Sequence, residues 1–216
     1  MGTTAGAQET GATGRGGLSM IRVADDNDAL RWSRWWCYGC LRQADPSWLD
    51  ATVFSEDEMA LAPVHHTAMR RRLGVAEVLP PAPESALLQL GQLDAGRRRQ
   101  VLLLMAAVCR ETPGELPETL AVWCRRLAKA LRPGLWLPPT LTFDRHREQD
   151  ALAILRCRFP QACWSRLQLL YPRDWRDGAS QPPGGALPAS RIISLCDAII
   201  WKATDGNPAG HEVGSV

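Results

Sequence analysis

The sequence predicts a mostly α-helical protein with a single multi-helix domain between two flexible tails. Apolar residues recur at spacings of three and four from about residue 28 to residue 203, the period of a helix with one buried face. No alternating run rich in Val, Ile and Thr, which would indicate a strand, occurs in the chain. The 216 residues, of which 45% are hydrophobic, are enough for one domain with a buried core. We therefore expect a helical domain over residues 21–204, after a disordered Gly/Thr-rich tail at 1–20 and before a flexible tail at 205–216.

The first predicted helix starts near Asp28. Trp32, Trp36 and Cys40 follow at intervals of four and share one face. Pro46 ends this helix or opens the next short element, and Trp48 begins a second apolar cluster.

The middle of the chain contains two predicted helices with recognisable ends. Gly74 fits the C-terminal end of a short helix that begins after Pro63. Asp94 is a suitable N-cap for a helix that continues to Arg110, because a carboxylate can accept the unpaired N–H groups of the first turn.

The clearest helix begins at Pro117, where a missing N–H is harmless. Leu120, Trp123 and Leu127 form its inward stripe, and the Pro-Gly pair at position 133 stops it.

Three segments complete the predicted domain. Asp144 is expected to cap a helix that carries Leu152 and Leu155 inward, and Pro160 restarts the chain as a further helix. Residues 167–169 also fit a short strand. A Pro/Gly-rich loop follows at 172–187, and the last helix carries a buried stripe from Ile192 to Ala203.

Charge and cysteine content favour a cytoplasmic protein. A net charge of +2 is too even to indicate nucleic-acid binding, which usually needs a strong basic excess. The seven cysteines are scattered and odd in number, and no secretory signal precedes them, so we expect reduced thiols. The longest apolar run, residues 101–108, is far shorter than the roughly 20 residues that a membrane span needs.

One pair of residues has the spacing of metal ligands. Cys37 and Cys40 form a CxxC motif, but no second pair of Cys or His residues completes a tetrahedral zinc site. Zinc binding and a redox couple remain alternatives, and core packing is favoured because Cys40 falls on the tryptophan face. No nucleophile motif or phosphate-binding loop is present. The sequence thus predicts no catalytic residue, no metal and no cofactor.

Arginine and tryptophan residues are the candidates for a partner-binding surface. Both residue types are enriched at interface hot spots. The candidates are one basic cluster and three tryptophans at helix ends or in loops: Arg97, Arg98, Arg99, Trp48, Trp136 and Trp175. The alternative for the arginines is a solvated helix face, and the alternative for the tryptophans is a lid over the core.

Several stretches together resemble a known family, the SctK/YscK adaptors of bacterial type III secretion sorting platforms. The resemblance covers residues 30–203 and depends on the order and spacing of these stretches: Pro46-Ser-Trp48-Leu49, Arg71-Arg-Leu-Gly74 before a Leu-rich helical region from Leu87 to Val108, Trp123-Cys-Arg-Arg-Leu127, Cys163-Trp-Ser-Arg-Leu167, and Cys196-Asp-Ala-Ile-Ile-Trp201-Lys202. The Gly-rich N-terminal tail and the CxxC motif are not features of that family.

The resemblance implies a helical, non-enzymatic cytoplasmic adaptor without cofactors. Its partners would be the cytoplasmic domain of the inner-membrane ring protein and the pod protein of the sorting platform, which holds the ATPase complex for effector export. Such a protein reaches the membrane only through these partners and binds no nucleic acid. Two rivals remain: a helical regulator or nucleic-acid-binding protein that uses its arginine clusters, and a zinc-bearing helical domain organised by Cys37 and Cys40.

Overall fold

A computed structural model describes residues 26–49, 55, 57, 65–110, 116–175 and 187–205. All regular secondary structure within these ranges is helical, which confirms the predicted fold class. The expected tail at 1–20, the expected tail at 205–216 apart from Asp205, and most of the loop predicted at 172–187 lie outside the described residues.

The N-terminal helix contains a π turn. Helix α1 (Asp26–Arg34) continues through a π-helical segment (Trp35–Gly39) into a short α2 (Cys40–Arg42). A π turn adds one residue to a helical turn, and here the two adjacent indoles of Trp35 and Trp36 are both buried. Trp32, Trp36 and Cys40 face the core as predicted, with exposed fractions of 2% or less.

An irregular segment at residues 75–84 is held against this helix by indole hydrogen bonds. Helix α3 (His66–Arg72) ends at Gly74, whose φ of +70° suits glycine. Beyond it, Nε1 of Trp36 donates to the carbonyl of Val78 at 3.0 Å, and Nε1 of Trp32 donates to that of Pro81 at 2.7 Å. These bonds satisfy buried indole groups and fix the path of a segment that has no secondary structure of its own.

Helix α5 is the centre of the core. Helix α4 (Ser85–Gln92) precedes it, and α5 (Ala95–Cys109) packs against α6 (Glu118–Leu131), α7 (Arg147–Arg158) and α9 (Ala189–Thr204). Its second half is apolar on nearly every side, as a helix surrounded by neighbours requires. The predicted cap is confirmed, since the Asp94 carboxylate accepts the N–H of Arg97 at 2.8 Å.

The prediction that Asp144 caps the following helix is wrong. Helix α7 begins later, at Arg147, and its N-cap residue His146 makes no side-chain capping bond. Within the first turn, Asp150 accepts the N–H of Phe143 at 2.7 Å. This bond anchors Phe143, which is buried with a φ of +58°, a conformation that non-glycine residues rarely adopt.

The segment that also fitted a strand is helical. Helix α8 (Gln161–Leu167) passes directly into a 3-10 turn (Gln168–Leu170), and Leu167, Leu169 and Leu170 are all buried. Because these residues are buried on all sides, the alternation of leucine with Gln168 does not distinguish a strand from a helix. None of the described helices combines the length and the hydropathy that crossing a bilayer would require.

Candidate functional site

A groove of about 1170 Å³ runs between the α1–π segment and α4 and reaches Thr204 at the end of α9. We call it the arginine groove, because Arg31, Arg34 and Arg42 line one wall. No acidic residue is among the described residues that line it. Leu88, Gln89, Gln92 and Leu93 from α4 and the residue after it contribute to the lining as well. The groove is therefore cationic on one side and neutral on the other.

The floor of the groove depends on one close contact. Trp35 packs directly over Gly91 of α4, where a Cβ would lie only 2.7 Å from the indole Nε1. The same Nε1 donates to the side-chain oxygen of Gln43 at 3.1 Å. Glycine at position 91 thus lets α4 approach the π turn, and the hydrogen bond holds the indole in place.

Two of the three groove arginines have no carboxylate partner. Arg31 lies 3.9 Å from Asp28 in an exposed pair, a geometry that contributes little. Arg34 and Arg42 are exposed, and neither forms an ion pair with any residue of the described ranges. Five arginines outside the groove do form ion pairs with carboxylates: Arg71, Arg97, Arg99, Arg125 and Arg158. Positive charge is consequently left uncompensated along this wall.

Apolar and aromatic surface accompanies this charge. Tyr38 lines the groove and is 38% exposed, and the half-buried Leu88 of α4 lines it as well. The groove thus offers both charged and apolar contacts, as protein interfaces commonly do.

The predicted basic cluster at the start of α5 does not form one binding surface. Arg97 is half-buried and lies 3.8 Å from Asp94, whereas Arg99 contacts Glu148 at 2.9 Å. Burial alone raises the pKa of Glu148, but the hydrogen bond and charge of Arg99 outweigh it and hold that pKa below its ordinary value. Arg98 points inward and is 8% exposed, which contradicts the expectation of an exposed cluster. Successive residues of a helix are rotated by about 100° around its axis, so the three arginines point in different directions.

The expectation that Trp48 contributes to a partner surface is also wrong. Trp48 is 2% exposed, and its Nε1 donates to the carbonyl of Tyr171 at 2.8 Å. Trp136 and Trp175 are half-buried against the core, and Nε1 of Trp136 donates to the carbonyl of Leu131 at 2.9 Å. These last two tryptophans match the alternative interpretation of lids over the core.

Sequence reasoning missed the exposed positions that the structure offers. Trp201 is 55% exposed and Ile193 is 43% exposed, both on the outer side of α9. Trp201 lies outside the inward stripe predicted for this helix, so the sequence already indicated its exposure. Ile193 was predicted within that stripe, and its exposure shows that this part of the prediction is wrong. The arginines of the groove gave a weaker signal, because they lie on the polar side of an amphipathic helix, where charged residues are expected.

The two cysteines of the CxxC motif have different surroundings. Cys40 is fully buried, and burial raises the pKa of its thiol to about 11, although the charge of Arg166 opposes the shift. Cys37 is half-buried on the π turn. Within the described residues, no group of three or more His, Cys, Asp and Glu side chains is placed to hold a metal ion. The core-packing interpretation therefore accounts for Cys40.

Comparison of the chain with protein-family models, with curated proteins and with solved structures gives no match. The resemblance to the SctK/YscK adaptors stays a prediction that depends on the stretches quoted above.

Proposed function

We propose that this protein is a non-enzymatic cytoplasmic adaptor of a bacterial type III secretion sorting platform. It would bridge the cytoplasmic domain of the inner-membrane ring protein to the pod protein and the ATPase complex. The observation that carries the proposal is the arginine groove, a large cationic surface with two arginines that have no carboxylate partner among the described residues. A protein surface with this composition is suited to contact with an acidic protein.

The positions of the resembling residues support the same proposal. In the stretch at 163–167 every side chain is buried, and it forms most of α8. In the stretch at 196–202, Cys196, Ile199 and Ile200 are fully buried in α9. Core positions determine a fold, so the buried residues of these two stretches favour a shared architecture, whereas the stretches at 71–74 and 123–127 are largely exposed or half-buried.

A bridging protein also needs a second surface. Exposed apolar side chains occur outside the arginine groove, at Leu135 after α6 (80% exposed) and at Ile193 and Trp201 on α9. Exposed apolar side chains are candidate contact sites on a protein that is held between two others.

The proposal is tested by reconstitution from purified components. The protein would be mixed with the ring-protein cytoplasmic domain and with the pod protein of the same bacterium, first in pairs and then together. Size-exclusion chromatography with light scattering should show both binary complexes and one ternary complex. An in-frame deletion should also stop effector secretion, and the full gene should restore it. Absence of both binary complexes at tens of micromolar protein, or normal secretion after deletion, would refute the adaptor.

A nucleic-acid-binding regulator is the second candidate, because three arginines line one groove. It predicts binding to random duplex DNA with an affinity that falls steeply as salt rises, since each phosphate contact releases a counterion. The adaptor predicts no measurable DNA binding at 150 mM salt.

A further inference from the structure

We propose that the arginine groove binds an acidic segment of a partner protein, whose carboxylates pair with Arg34 and Arg42 while an apolar side chain packs beside Tyr38. This inference names the partner chemistry of the surface on which the proposed function rests. It is nevertheless independent of the secretion system, because it follows from the groove alone.

The charge of the groove selects for carboxylates. Arg34 and Arg42 make no ion pair in the described structure, and no carboxylate lines the groove between them. A guanidinium group presents parallel N–H donors that match a carboxylate in a bidentate contact.

The helix geometry sets the spacing of the partner's acidic residues. Arg34 and Arg42 are eight positions apart along one continuous helical segment, so at about 1.5 Å per residue their Cα atoms are roughly 12 Å apart. Two turns of a partner helix, or about four residues of extended chain at roughly 3.3 Å each, span the same distance. Two carboxylates at positions i and i+7 of a helix, or i and i+4 of an extended segment, would reach both guanidinium groups.

The remaining lining favours a protein over a nucleic acid. Tyr38 and Leu88 supply aromatic and apolar contacts, and Gln89 and Gln92 offer amides to a peptide backbone. Three arginines are fewer than the 6–10 phosphate contacts typical of proteins that depend on the DNA backbone for affinity. The groove is also larger than the roughly 300–1,000 Å³ of most small-molecule pockets.

The test uses charge reversal with a matched control. The double variant Arg34→Glu/Arg42→Glu reverses two of the three positive charges that line the groove, and Arg126→Glu/Arg191→Glu makes the same net change at two exposed arginines of α6 and α9. Circular dichroism and thermal midpoints should match the wild type for both variants, because all four side chains are exposed.

Fluorescein-labelled 15-residue peptides serve as probes. One set contains pairs of Glu at positions i and i+4, i and i+7, or i and i+10 around a central Trp, and its control set carries Gln in place of Glu. A second set tiles the ring-protein domain and the pod protein. We expect the wild type and the control variant to bind an acidic peptide at least tenfold more tightly than they bind its Gln counterpart. We also expect both proteins to bind the acidic peptide at least tenfold more tightly than Arg34→Glu/Arg42→Glu does.

The possible outcomes separate this inference from the proposed function. If designed acidic peptides bind through the groove and no tiled peptide does, the inference stands and the secretion partners are in doubt. If no acidic peptide binds, or if groove reversal and control reversal weaken binding equally, the inference is refuted even when the full-length platform proteins form complexes. Binding of random duplex DNA that only the groove variant loses would likewise refute it.

Discussion

Replacing Arg166 with Met tests how a buried cation stabilises the N-terminal half of this fold. Arg166 is completely buried, and its guanidinium lies 3.7 Å from the centre of the Trp36 ring. Its nitrogens donate to the carbonyls of Trp36, Ala162 and Ala76, each at 3.0 Å. One side chain thus joins α8, the π turn and the irregular segment at 75–84. No carboxylate is among its partners in the described structure.

The expected loss follows from opposing contributions. Each hydrogen bond from a charged donor contributes about 1.5–3 kcal/mol, and the contact with the indole adds about 1–2 kcal/mol. Against this, burying a guanidinium costs several kcal/mol, which Met does not incur. After the substitution, the carbonyl of Ala162 still accepts a hydrogen bond from the Ser165 hydroxyl at 2.9 Å. Losing the Arg166 bond to this carbonyl therefore costs less than losing the other two. We expect Arg166→Met to lower the free energy of unfolding by about 2–4 kcal/mol.

Urea unfolding followed by tryptophan fluorescence measures this difference by linear extrapolation. The control Arg126→Met removes an exposed arginine of α6 and should change the free energy of unfolding by less than about 0.5 kcal/mol. A loss below about 1 kcal/mol for Arg166→Met, or a gain, would show that the three carbonyls do not depend on the guanidinium.

Three further predictions follow from burial and packing. Arg98→Met should leave the free energy of unfolding unchanged or raise it by up to about 2 kcal/mol, because the buried Nε and Nη1 of Arg98 have no acceptor among the described residues. Urea denaturation that shows a loss would contradict this. Gly91→Ala should cost about 1–3 kcal/mol in the same assay through overlap with the indole on the groove floor, whereas Gly134→Ala, which has open space around its Cβ, should be nearly neutral. Thiol labelling of the native protein at pH 8 should be fast only at Cys157 and Cys37, because the other cysteines are buried, and more than two fast equivalents per chain would be inconsistent with the fold.

Local rules predicted much of the secondary structure. The Trp32, Trp36 and Cys40 face, the Asp94 cap and the glycine end at position 74 each depend on residues within one or two helical turns. Such features can be recognised from spacing and residue type alone. The wrong assignment of Asp144 shows the limit, because a second carboxylate only six positions later anchors the local backbone instead.

The binding surface was harder to predict because it depends on contacts distant in sequence. Trp48 is held inside the core by the hydrogen bond of its indole N–H to the carbonyl of Tyr171, which lies 123 positions away. Arg98 is buried although Arg97 and Arg99 are not. Because α5 has little amphipathicity, the helical period does not indicate which of the three arginines faces inward. The arginine groove exists only because α4 lies alongside the π turn, and no property of Arg34 or Arg42 taken singly indicates that arrangement.

The π turn at Trp35–Gly39 has an evolutionary consequence. A π turn takes up one extra residue within a single wider turn, so Arg42, eight positions after Arg34, has about the direction that a residue seven positions on would have in a regular helix. Deleting a single codon within this turn would let a regular α-helix form and leave both ends of the cationic wall in about the same directions. The same deletion in a regular helix would turn one end away by about 100°. Relatives could therefore gain or lose one residue at this point of the chain while the surface stays in place.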